Sequence, residues 1–412
     1  MSPVPLAQRL SFLASAVKVQ WSAVRSRSHS VLSSNPLTGD KRISNSILLT
    51  LLVSSPLQSL ELTRAEVNPY CQDVILRIPM LRKLTLCDTI FVPTTTTLPP
   101  SLIRILVLRS HIPEQTAMEH LFRILSPSLE TLEIQPVGNL TYVNMIYSVM
   151  ENTPFRRFTT FRAPRLPLIS EANHQFLFHE FITVLHITPT DPQIFPSVLP
   201  GTFLPNLRHL SAPWCVAELL IPGRPVQVFC DTELKLSTTT TFKSMLEQLA
   251  KSAGNIEELV LASRWSCPDI YQHLKKYMPH LKRLRLVVEP QVWYDPREMQ
   301  VNMDMEPKFG VQYTPLQELE LRMEIPLNTR QPHQVSRPNC RLISPLFTLT
   351  CPSLKVLSVI VVSHKFHADE RDIPLRSIFK LRKMTNGEWE ERGFGVDVPQ
   401  DAKGFPVLDY RS

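Results

Sequence analysis

Two short stretches of this sequence carry the residue types of a metal site. His174-x-x-x-x-His179-Glu180 and His364-x-x-His367-x-Asp369 place imidazoles near a carboxylate, a donor set that zinc accepts. Neither has a recognised zinc spacing. The 7 cysteines (Cys71, Cys87, Cys215, Cys230, Cys267, Cys340 and Cys351) are scattered, with no C-x-x-C to complete a site. The histidines therefore read as surface or loop residues, and the cysteines as buried thiols of a reducing compartment. Asp295, Glu298, Asp304 and Glu306 share one stretch, but no base, nucleophile or metal pattern accompanies them, so they read as solvated loop carboxylates. There is no G-x-S-x-G, no catalytic Cys/His signature and no P-loop, and 10 glycines leave little material for phosphate-cradling loops. The sequence points away from an enzyme, and no cofactor or metal is expected.

A second set of charges is regular. Arg208, His209, Glu257, Glu258, Lys282, Arg283, Arg285, Glu318 and Glu320 all stand beside or between the leucines of one recurring phrase, L-x-x-L-x-L. Its clearest instance lies within Pro279–Leu286, where Leu281, Leu284 and Leu286 are set among Lys282, Arg283 and Arg285. The last two leucines alternate with Arg285, the period of a strand with one buried face. The charges then share the other face. Their sign changes along the chain, from Glu257 and Glu258 to Lys282, Arg283 and Arg285 and back to Glu318 and Glu320. Such a face could select a protein partner by complementarity.

The elements that must hold these charges follow from the phrase itself. It begins at Leu57, Leu81, Ile103 and Leu129, weakly at Phe155, then at Ile182, Leu207, Ile256, Leu281, Leu316 and Leu354, at steps near 25 residues. The step from Leu207 to Ile256 is close to two periods, and a degenerate unit around Leu234-Lys235-Leu236 is expected to fill it. Between phrases the pattern predicts helices over Tyr70–Ile78, Ala117–Leu125, Val143–Met150, Phe242–Ala253 and Asp269–Met278, several stopped by proline or glycine. Strands joined by helical crossovers should be parallel. A unit of this kind cannot bury its own apolar face, so neighbouring units must stack. The inserted stretches Glu289–Tyr313 and Asn328–Asn339 are expected as rim loops. Phe379–Arg392, with Thr385-Asn386-Gly387 at its centre, is expected as a hairpin that closes the array. The organisation expected is a basic N-terminal helix and linker at 1–46, repeats over 47–362, and a hairpin cap and tail at 363–412.

The chain of 412 residues is 43% hydrophobic, ample for a packed interior. Its net charge is +7, and residues 1–45 supply five of those seven charges. The repeat body is nearly neutral, without the basic stripe that nucleic acid requires. No apolar run of membrane-spanning length occurs, and no secretory signal is expected at the start. Cytoplasm or nucleus is the expected compartment. Residues 1–39 also suit a mitochondrial presequence, being free of acids, Ser-rich and amphipathic.

The helix–strand unit with its L-x-x-L-x-L phrase resembles the leucine-rich repeat of the long, ribonuclease-inhibitor-like or F-box-associated class. The resemblance implies an α/β solenoid, a horseshoe with parallel strands on the concave face and helices outside. Repeats of that class carry Asn or Cys three residues past the strand. Here only Cys215 matches, against Thr89, His111, Val137 and Glu289 in other units. Val17-Lys18-Val19-Gln20-Trp21 is similar to the phrase near the end of an F-box, while the opening L-P-x-E-L phrase is absent. Together with the Asn386-Gly-Glu-Trp389-Glu hairpin, it resembles the F-box/leucine-rich-repeat proteins of fungi. That family implies a substrate-recognition subunit of a cullin-type ubiquitin ligase, with Val17 and Trp21 toward the adaptor and the repeats toward a substrate protein. The same residues also read as an ordinary amphipathic helix covering the first repeat. The repeats would then form a scaffold or regulator without a ligase.

Overall fold

The leucines of the phrase form the core. Leu60, Leu84, Leu106, Leu132 and Leu185 are buried, as are Leu210, Leu259, Leu284, Leu319 and Leu357. The computed structural model describes residues 57–63, 66–95, 98–99, 101–109, 114–135, 140–163, 180–187, 203–232, 242–264, 270–288, 291–294, 299–302, 313–326, 349, 351–365, 373–384 and 387–395. The expected N-terminal helix with Val17 and Trp21 lies outside these residues. So do Leu234–Leu236, Asn328–Asn339, the acidic quartet, and His174, His179, His367 and Asp369. The architecture is α/β on a long, mostly parallel, open sheet, and the chain divides into two compact units, Met1–Leu207 and Arg208–Ser412.

Among the described residues of the first unit six strands lie side by side: β1 (Ser59–Thr63), β3 (Lys83–Cys87), β5 (Ile105–Arg109), β6 (Thr131–Ile134), β7 (Thr160–Ala163) and β8 (Val184–Ile187). All pairs are parallel, and one register position runs Leu60, Leu84, Leu106, Leu132, Phe161, Leu185. Short β2 (Glu66–Val67) and β4 (Ile90–Phe91) form a separate parallel pair. Three helices connect strands: α1 (Pro69–Arg77), α2 (Gln115–Leu125) and α3 (Leu140–Glu151). The start of α1 is set by Asn68, whose side-chain oxygen accepts from Cys71 N at 2.9 Å, and by Pro69 just inside the helix. Tyr147 of α3 meets Phe161 of β7 edge to face at 5.8 Å, so this helix covers the leucine side of the sheet.

The described residues of the second unit form eight strands of the sheet. They are β9 (His209–Ala212), β10 (Val228–Asp231), β11 (Glu258–Arg264), β12 (Arg283–Val288), β15 (Glu318–Pro326), β16 (Val356–Lys365), β17 (Ile373–Lys383) and β18 (Trp389–Gly395). Helices α4 (Trp214–Leu220), α5 (Phe242–Leu249) and α6 (Ile270–Tyr277) lie between strands. From β9 to β16 every pair is parallel, and the ladder runs Leu210, Phe229, Leu259, Leu284, Leu319, Leu357. Trp214 of α4 meets Phe229 at 6.1 Å on the leucine side. The hairpin strands β17 and β18 are antiparallel and continue the sheet, with Leu381 opposite Leu357. Gly387 turns between them at φ 86, a conformation open to glycine. Within the first inserted stretch, β13 (Gln291–Tyr294) and β14 (Met299–Asn302) pair antiparallel, so part of the expected loop is a hairpin.

One backbone device recurs at nearly every step. The carbonyl just before a strand accepts from two successive amides of the next one. Gln58 O takes Arg82 N and Lys83 N at 2.9 and 3.0 Å, and Arg82 O takes Arg104 N and Ile105 N at 2.8 and 2.9 Å. In the second unit Glu257 O takes Lys282 N and Arg283 N at 2.8 and 2.9 Å, and Lys282 O takes Gln317 N and Glu318 N at 2.8 and 3.0 Å. Equivalent sequence positions thus make equivalent bonds.

Two expectations are corrected. The gap between Leu207 and Ile256 is filled by β10, whose phrase is Val226-x-x-Phe229-x-Asp231, upstream of Leu234–Leu236. The weak phrase is Phe158-x-x-Phe161-x-Ala163, three residues later than Phe155-x-x-Phe158. The cause is a further buried position three residues before six of the phrases, filled by Ile78, Phe155, Leu204, Met278, Tyr313 and Cys351. It belongs to the turn into the strand: Leu81 N bonds Ile78 O at 3.2 Å and Leu354 N bonds Cys351 O at 2.9 Å. In these six units the three-residue apolar step therefore occurs twice, and that step alone does not separate the two.

Candidate functional site

Because every second strand residue faces inward, the remaining ones form rows on the open face. In the second unit one row passes through His209, Val228, Glu258, Arg283, Glu318 and Val356. The next passes through Ser211, Cys230, Val260, Arg285, Glu320 and Ser358. Arg208, Glu257 and Lys282 stand just ahead of their strands. Register thus brings six of the nine charged or polar residues singled out in the sequence, His209, Glu258, Arg283, Arg285, Glu318 and Glu320, into two adjacent rows of one unit.

The structure also pairs part of this set. Lys282 Nζ lies 2.9 Å from Glu257 Oε1. Arg283 places its Nε at 2.8 Å and a terminal nitrogen at 2.6 Å from Glu258 Oε2. The change of sign between the two units of sequence is therefore largely an exchange between adjacent rungs. Exposed pairs of this kind contribute about 0–1 kcal/mol. Arg208, Arg285, Glu318 and Glu320 have no ion-pair partner among the described residues.

Sequence reading missed a Cys–His juxtaposition in the same rows. Cys230 Sγ lies 4.0 Å from His209 Nε2. Burial, with Glu258 alongside, pushes the Cys230 thiol up to about 12. A thiol so raised is held protonated at neutral pH. No group of His, Cys, Asp and Glu able to hold a metal is found among the described residues.

The position that defines the resembled family is held differently here. Thr89 is buried, and its hydroxyl lies 3.0 Å from Leu62 O of the preceding strand and 3.1 Å from Cys87 O. A hydroxyl thus ties the loop after β3 to strand backbone. Cys215, the one residue matching the family pattern, is exposed at the start of α4. In the second unit a tyrosine supplies a related bond: Tyr313 is buried and donates its hydroxyl to Met278 O, which burial accompanies by raising its pKa.

No helix among the described residues is long and apolar enough to cross a membrane. Comparison with protein-family models and with curated proteins gives no match.

Proposed function

We propose that this chain is a leucine-rich-repeat solenoid, with strands on its concave face, that recognises a protein partner through that face. In the favoured form it is the substrate-recognition subunit of a cullin-type ubiquitin ligase. The observation that carries the recognition reading is the register ladder. It holds the leucines inside the core and brings the alternate positions of neighbouring strands into rows, so that neighbouring rungs act together. The ligase part rests on the resemblance of Val17-Lys18-Val19-Gln20-Trp21 and of the closing hairpin to the fungal family. The reading is non-catalytic, and it places a substrate protein on the repeats and the adaptor at the N-terminus.

The test is affinity purification of the full-length chain from cells, with mass spectrometry of what accompanies it. Recovery of the small adaptor and a cullin, lost when Val17 and Trp21 are both replaced by Ala, supports the receptor. Recovery of other partners with no adaptor contradicts the ligase part. The Arg285→Glu, Glu320→Arg double variant should capture an identified partner at least about tenfold more weakly, while keeping its fold. Unchanged capture would remove this face from the binding surface.

A further inference from the structure

A cleft of about 710 Å³ opens in the first unit between α2, the end of α3 and the Pro93–Thr95 segment. None of its lining residues belongs to the rows described above. Arg123 of α2 stands in it, and what holds Arg123 is unusual. Gln72 of α1 is fully buried and uses both amide hydrogens on backbone, donating to Val67 O at 3.0 Å and to Val92 O at 2.7 Å. That fixes the orientation of the amide and leaves its oxygen as an acceptor. His120 Nε2 lies 2.9 Å from this oxygen and must therefore carry the ring proton. His120 Nδ1 is then a lone pair, and it accepts from an Arg123 terminal nitrogen at 3.1 Å.

The chain of bonds ends on a cation held by a neutral acceptor. Burial of the ring, with Arg123 beside it, lowers the His120 pKa, which keeps the imidazole uncharged at neutral pH. Glu119 lies one turn before Arg123, at the spacing of a helical ion pair. Its Oε1 instead takes Gln115 Nε2 at 2.8 Å, and Arg123 has no ion-pair partner among the described residues. Among the described residues the positive charge is thus positioned without an ion pair, although the Glu119 carboxylate lines the same cleft. The Thr116 hydroxyl lies on the same cleft, while Pro93, Val149 and Pro154 give it apolar wall.

We propose that this cleft is a binding site for a small organic oxyanion, a carboxylate or a phosphate monoester, anchored by Arg123. The guanidinium fork matches either group, and its remaining N–H donors point away from an acceptor that a buried scaffold has fixed. The apolar wall favours an anion that carries a hydrocarbon body over a bare ion. The volume falls within the range of small-molecule sites, about 300–1,000 Å³.

The experiment is calorimetric titration of the full chain with phenyl phosphate and with benzoate at pH 7.5 and moderate salt. Saturable one-to-one binding of either probe is expected. Preference for phenyl phosphate assigns a phosphate ester, and preference for benzoate assigns a carboxylate. Arg123→Met should weaken binding by about tenfold or more, the loss of charge-assisted bonds, with the ligand-free melting temperature unchanged. Arg123→Gln keeps a donor for His120 Nδ1 and removes the charge, so it must fold as wild type and lose binding alike. Absence of saturable binding for both probes at millimolar concentration would overturn the proposal. So would binding by Arg123→Gln as tight as that of the wild type.

Discussion

Leu284→Asp will not accumulate as a folded protein. Leu284 is fully buried, between Leu259 and Leu319 on the neighbouring strands. Removing such a leucine alone costs about 2–5 kcal/mol. The carboxylate adds more, because it must either remain charged among leucines or take up a proton at a strongly raised pKa. Against a whole-domain stability of about 5–15 kcal/mol, the sum removes most or all of the margin. The control lies one residue away. Arg285 faces outward on the same strand, and Arg285→Asp should express, remain soluble and melt within a few degrees of wild type. A soluble Leu284→Asp with an unshifted melting temperature would mean that this side chain does not stand in the core.

Phe161→Ala should lower stability by about 3–5 kcal/mol, and Thr160→Ala by no more than about 0.5 kcal/mol. Phe161 is buried in the ladder and meets Tyr147 at 5.8 Å and Phe158 at 6.1 Å between ring centroids. Thr160 precedes it on the partly open side. If the phrase began at Phe155, the two residues would exchange places: Thr160 would be inward and Phe161 outward. Denaturation midpoints for the two variants decide between these registers. A larger loss from Thr160→Ala would restore the earlier phrase.

The strands were legible because the phrase combines a three-residue step with a two-residue one, and only a turn entering a half-buried strand needs both. Leu81, Leu84 and Leu86 show it without ambiguity. Where aromatic residues replace leucine the signal degrades. Phe155, Phe158 and Phe161 offer two equally spaced pairs, and only the strand pairing of Leu132 with Phe161 chooses. Asp231 hides a unit outright, since a buried carboxylate occupies the place of the third leucine. Helix α4 escaped notice because Trp214–Leu220 is apolar nearly throughout and shows little periodic contrast. Of the open face, the sequence revealed which residues share a side but not which pair across it. Glu258 and Arg283 are 25 residues apart, and their contact depends on register alone. The cleft around Arg123 was invisible for the same reason: Gln72 and His120 lie on different helices, 48 residues apart.

The claim beneath all of this is that successive phrases lie in register on adjacent parallel strands. Disulfide trapping on the open face tests it. Arg285 and Glu320 are register partners, whereas Arg283 is paired with Glu318 and lies two residues off Glu320. The spacing of adjacent strands suits a disulfide only between direct neighbours. Under mild oxidation, Arg285→Cys with Glu320→Cys should form an intramolecular disulfide, identified by peptide mapping. Arg283→Cys with Glu320→Cys should not. Efficient trapping of the offset pair, with none of the in-register pair, would contradict the ladder.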